Sequence, residues 1–163
     1  MLEQWCEWVQ DLAVSKTVAE SLWEYPTLGL IHLYSMAFLM TVIAALDLRL
    51  MGIAMDRGSQ QPLPQLSRRV LGFAWMSLGV NAVTGTLLFM SRATEFYSNS
   101  AFQIKILLVF LGLVYHSIVF PTIVLPRATR WEESSRTPIG AKLMGVFSLL
   151  LWAGVVVASQ WIG

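Results

Sequence analysis

The chain has 163 residues, 56% of them hydrophobic and 13% charged, with a formal net charge of +1. Soluble domains carry about 25% charged residues, so water is the wrong solvent for this composition, and a near-neutral chain lacks the basic field that nucleic acid requires. The single cysteine, Cys6, excludes an internal disulfide and any cysteine-built zinc or iron–sulfur site.

Residues 1–25 come first and are expected to lie outside the membrane as an interfacial region. Leu2, Trp5, Trp8, Val9 and Leu12 recur at helical spacing, with Glu3, Glu7 and Asp11 on another stripe, which predicts an amphipathic helix in the membrane interface. The carboxylates read as a solvated face, and Cys6, flanked by tryptophans, reads as small apolar filler. A second short turn, about residues 16–24, is expected to end before Pro26. The start has no basic stretch, apolar core and small-residue cleavage site, so no signal peptide is expected.

Residues 26–163 form a four-helix transmembrane domain. Runs free of charge cover 27–46, 70–91, 106–126 and 143–163. Each is about 20 residues, enough to cross a hydrocarbon core of about 30 Å at 1.5 Å per residue. The predicted spans are 27–48, 69–91, 103–125 and 140–162, with Ser67 capping the second. The fold class is therefore all-α, a four-helix transmembrane bundle with an N-terminal interfacial amphipathic helix. Arg49, Arg57, Arg68, Arg69, Arg127, Arg130, Arg136 and Lys142 gather at the two loops between spans 1–2 and 3–4, against Lys16, Arg92 and Lys105 on the other side. The positive-inside rule places both loops in the cytoplasm and both termini outside, with Trp131 at the headgroups.

Ionisable groups inside hydrocarbon are costly and point to function. His32 falls about 8 Å below the outer edge of span 1 and His116 near mid-membrane in span 3. Pro121 withholds a hydrogen bond from the carbonyl of Ser117 and loosens the helix there. His32, Met36 and Met40 share one helix face, a set that suits copper(I) or, through His and Met axial ligands, haem iron. The same methionines at helical spacing also suit ordinary packing. His32 and His116 are a second candidate pair of haem ligands, and no CxxCH is present for covalent haem. Ser77, Asn81 and Gly85 share a face of span 2 that favours close packing and cross-helix bonds. Asp47 and Arg49 close span 1. Arg49 can snorkel to phosphates, and Asp47 is expected to find a cation in Arg68, Arg69, Arg127 or Arg130.

These landmarks resemble a family of small bacterial four-helix membrane proteins of unknown function, DUF6644. The shared pattern is Tyr25-Pro26 before span 1, His32 within it, "DLRLMG" at 47–52, "TGTLLF" at 84–89 and "YSNSAFQIK" at 97–105. The chain departs from the pattern at Leu28, Gly29 and Leu30, where an acidic residue is expected, and at Ser100 and Gln103. The resemblance implies the fold, a role for His32 and a bacterial inner membrane, in which the charge count puts both termini in the periplasm; it implies no activity.

Three functions follow. The first is a subunit binding b-type haem through His32 and His116, with Met36 or Met40 as alternative ligands, for electron transfer or quinone-linked anchoring. The second is a copper-handling protein using His32, Met36 and Met40. The third is a non-catalytic structural subunit, partnered by lipid and by other membrane or periplasmic subunits or a second copy. No HExxH, GxSxG or glycine-rich phosphate loop is present, so enzymatic action by this chain alone is not expected.

Overall fold

The computed structural model describes residues 1–53, 62–127 and 138–162. Among these, all regular structure is helical: α1 (Leu2–Gln10), α2 (Ala13–Glu20), α3 (Glu24–Leu50), α4 (Leu63–Ser91), α5 (Ala93–Ser98), α6 (Ser100–Val114) and α7 (Ile139–Ser159). α6 runs on through a π-helical stretch, Tyr115–Val124, so that the third long helix extends over Ser100–Arg127. Four helices are long and apolar enough to cross a membrane: Glu24–Leu50, Leu63–Ser91, Ser100–Arg127 and Ile139–Ser159. Their outer faces carry bare apolar side chains, such as Met76 at 70% exposure and Leu150 at 67%. A bundle with so much apolar surface outside has hydrocarbon as its solvent. The chain is a multi-pass membrane protein.

Local chemistry sets the helix boundaries. α3 ends where Gly52 takes φ 76°, a left-handed turn that a side chain resists. Ile53 N–H then reaches Leu48 O and Gly52 N–H reaches Arg49 O, both at 3.0 Å, which closes the helix end. α4 begins at Leu63, earlier than the expected residue 69, because Pro62 is the cap and Pro64 fits the first turn. Ser67 is thus no cap: it lies inside α4, and its hydroxyl donates to Pro64 O. α6 begins at Ser100, earlier than the expected 103, because the Asn99 side chain accepts from Ala101 N–H and Phe102 N–H. The second short helix, expected over about 16–24, is α2 at Ala13–Glu20; it ends before Pro26, which falls in the first turn of α3.

The long helices pack in the order α4–α3–α7–α6: α3 lies against α4 and α7, and α7 against α6, while α4 and α6 meet chiefly through side chains. Leu39, Ile43, Ala74, Leu151, Trp152 and Val155 form a middle core. Leu46, Leu50, Leu63, Tyr115, Phe120, Val124 and Ala141 form a second one toward the inter-span loops. On the side of the termini, Phe89, Phe96 and Phe102 stack at centroid distances of 5.4 to 6.5 Å and tie α4, α5 and α6 together.

α1 buries Cys6 and Val9 and leaves Trp5 and Trp8 outward. It packs on α5 and α4, and Gln10 Oε1 accepts from Thr94 Oγ1 at 2.9 Å. The expected interfacial helix is therefore docked on the bundle's own end, with its tryptophans free for headgroups. Arg57, Arg130, Trp131 and Arg136 lie outside the described residues.

Candidate functional site

The buried polar side chains fall in layers between the long helices. The layer nearest the termini joins α3 to α4. His32 Nδ1 lies 3.0 Å from Thr84 Oγ1. The Thr84 hydroxyl donates its one proton to Val80 O at 2.8 Å, so its oxygen accepts from His32 Nδ1–H. One turn deeper, Asn81 Nδ2 donates to Ser35 Oγ at 2.7 Å, and Ser77 Oγ donates to Ser35 O. Ser35 Oγ in turn donates to His32 O at 3.0 Å. Gly85 lets the helices close on this layer: a Cβ there would stand 3.0 Å from His32 Cε1. Lys105, from α6, is the charged side chain that acts on the imidazole.

The middle layer is His116. It sits at the start of the π-helical stretch, a wide turn that accommodates the missing N–H of Pro121. Its Nδ1–H donates to Gly112 O at 3.0 Å, which leaves the lone pair on Nε2, and Nε2 has no partner. The ring stacks near Phe120, at 6.3 Å, and tilts against Trp152, at 6.0 Å, whose own Nε1–H is buried and unpartnered. A small cavity of about 20 Å³ lies beside it, walled by carbon from all four long helices, including Leu39, Ala74 and Gly112. That volume is near the minimum for one water molecule, and apolar walls give water nothing to bond.

The third layer is Asp47, Ser148 and Tyr115, near the inter-span loops. Asp47 is 0% exposed, and neither carboxyl oxygen has a hydrogen-bond partner. The expected ion pair with Arg68, Arg69 or Arg127 does not form: Asp47 turns sideways into the α3–α7 contact and faces Ser148, while those arginines belong to helix ends. Arg130 lies outside the described residues. Arg49, two positions on, is engaged in an interaction of its own.

His32 and His116 thus occupy separate layers with separate partners. Met36 and Met40 pack against the Leu39–Ile43 core. Asn81 bridges α3 and α4. As packed, the residues do not fit a porphyrin, because the space at His116 is water-sized and the His32 ring is pressed on Gly85. Among the described residues no three His, Cys, Asp or Glu side chains gather as a metal-binding group. Sequence reasoning missed Ser35, Lys105, Ser148 and Trp152. A signal existed for two of them: Gly145, Ser148 and Trp152 repeat at i, i+3, i+7 along one face of α7.

The fold and these layers define a four-span helical membrane bundle with a cross-helix polar layer, His32, Ser35, Ser77, Asn81 and Thr84, between α3 and α4. The chain belongs to DUF6644, a family of unknown function whose model matches residues 5–163. No curated protein and no solved structure matches it.

The landmarks of the resemblance each hold a structural position. His32, Thr84 and Gly85 form one contact. Asn99 caps α6, and Phe102 joins the aromatic stack. Gly52 closes α3. Arg92 lies 5.0 Å over the ring of Tyr25.

Proposed function

We propose that the chain is a non-catalytic subunit of a larger assembly in the bacterial inner membrane, with both termini periplasmic. The observation that carries this reading is the His32–Thr84 bond within the Ser35–Asn81–Ser77 layer. An imidazole spent on a neighbouring hydroxyl, and closed over by glycine, acts as a helix-joining group. The apolar outer faces, among them Phe38, Phe110 and Leu150, supply area for lipid and for neighbouring subunits or a second copy.

Purification from membranes tests the reading. A colourless protein, free of copper, that loses thermal stability in His32→Ala supports it. Copper that disappears in Met36→Leu or Met40→Leu replaces it with the copper-handling function.

A second reading rests on His116 alone. Its Nδ1–H is tied to a carbonyl and its Nε2 lone pair is free, the arrangement in which histidines ligate metals. In that reading His116 is an axial ligand of b-type haem in an electron-transfer or quinone-linked subunit, and the four helices that wall the water-sized space beside it must part to admit the group. A reduced-minus-oxidised spectrum with bands that vanish in His116→Ala supports it; their absence from the native protein removes it.

A further inference from the structure

Asp47 is the one ionisable side chain among the described residues with 0% exposure. It stands three residues before the end of α3, about 5 Å of helix rise from Leu50. Both its oxygens lack a hydrogen-bond partner, and so does Ser148 Oγ, which faces it from α7 and is 1% exposed. Tyr115 reaches the same place from the third long helix; its hydroxyl is already committed to Met144 O at 3.2 Å. Tyr115 is the titratable group that faces Asp47. From α4 and α7, Arg68, Arg69 and Lys142 form no ion pair with it.

A carboxylate in this position would have no counter-cation among the described residues and a single neutral hydroxyl, that of Ser148, for its two oxygens, a costly state for a buried charge. A neutral acid has an O–H to give, and the Ser148 oxygen has lone pairs to receive it. We infer that Asp47 and Ser148 form a proton-binding site at the α3–α7 contact, the acid O–H of Asp47 donating to Ser148 Oγ. When the site empties, the O–H bond of Asp47 breaks, its electron pair stays on the carboxylate, and the proton leaves to water at the loop side.

The site is tied to helix packing. A Cβ at Gly145 would stand 3.0 Å from Asp47 O and 2.6 Å from Met51 Cγ, so α3 and α7 touch nearly backbone to backbone. A charge on Asp47 demands water or a cation, and this contact is what either must enter. Proton release therefore loosens α7 from α3. The inference is independent of the roles assigned to His32 and His116.

The test uses the full chain in detergent and dicyclohexylcarbodiimide, which couples to protonated carboxyl groups, with the adduct located by mass spectrometry. Asp47 is expected to label at neutral pH, with labelling falling about tenfold per pH unit above its midpoint of ionisation. In the infrared, the native protein is expected to show a carboxylic-acid carbonyl band that Asp47→Asn abolishes and Ser148→Ala shifts. If Asp47→Asn does not fold, adduct mapping on the native chain and Asp47→Glu decide the matter. Absence of both adduct and acid band at neutral pH overturns the inference. Protection of Asp47 by sodium, lithium or potassium ions also overturns it, in favour of a cation site.

Discussion

Replacing Thr84 by valine keeps the branched shape and removes the acceptor of the His32 proton. The native bond spans 3.0 Å between α3 and α4, in a half-buried setting where no other side chain bonds Nδ1. Interhelical hydrogen bonds of this kind contribute on average about 0.6 kcal/mol and at most about 1.7. That is about 3- to 16-fold in the unfolding equilibrium constant. Thr84→Val also removes the bond to Val80 O, so the single mutant overstates the pair. A double-mutant cycle with His32→Leu cancels that local term. Unfolding by SDS in mixed micelles, followed by the fluorescence of the seven tryptophans, gives the four free energies. A coupling energy between about 0.6 and 1.7 kcal/mol is expected. Coupling under about 0.3 kcal/mol, the range of simple additivity, refutes the claim that this contact joins the helices.

Other substitutions probe the remaining landmarks in the same unfolding assay. Gly85→Ala, which brings a methyl to 3.0 Å from His32 Cε1, is expected to cost about 1–3 kcal/mol, and to cost less when His32→Ala is already present. Gly52→Ala forces a side chain into φ 76° and should lower stability by about 1–2 kcal/mol. Asn99→Ala removes the acceptor for Ala101 N–H and Phe102 N–H, at a cost of about 0.5–2 kcal/mol. Alkaline phosphatase fused to the C-terminus is expected to be active, and fused after residue 56 inactive, as the distribution of Arg and Lys requires.

The four spans were legible because charge is absent over long runs, and nothing but hydrocarbon tolerates such runs. Their starts were less so. Charge alone put the second and third spans at 69 and 103, whereas Pro62 and Asn99 start them earlier. The polar residues of spans 1 to 3 stood out as exceptions to their surroundings. Their partners did not, because partnership depends on which helices touch. Asp47 shows this most clearly. Sequence offers several arginines near the same membrane edge, but the rotation of α3 points the carboxyl at Ser148 on the last span. The π-helical stretch was half visible: Pro121 marks the weak point, while the widened turn that holds His116 is a property of the packed third helix.

The order in which the spans pack has a bearing on biogenesis. The fourth span, α7, sits between the first and the third, while the second and third, neighbours in sequence, meet chiefly through side chains such as Phe89 and Phe102. A nascent chain halted after Arg127 would own an α3–α4 hairpin and an α6 held to it chiefly by the phenylalanine stack, with its main mate still unsynthesised. Assembly of these four spans waits on α7, and removal of that span should leave the α3–α4 hairpin and α6 loosely joined rather than trim one edge.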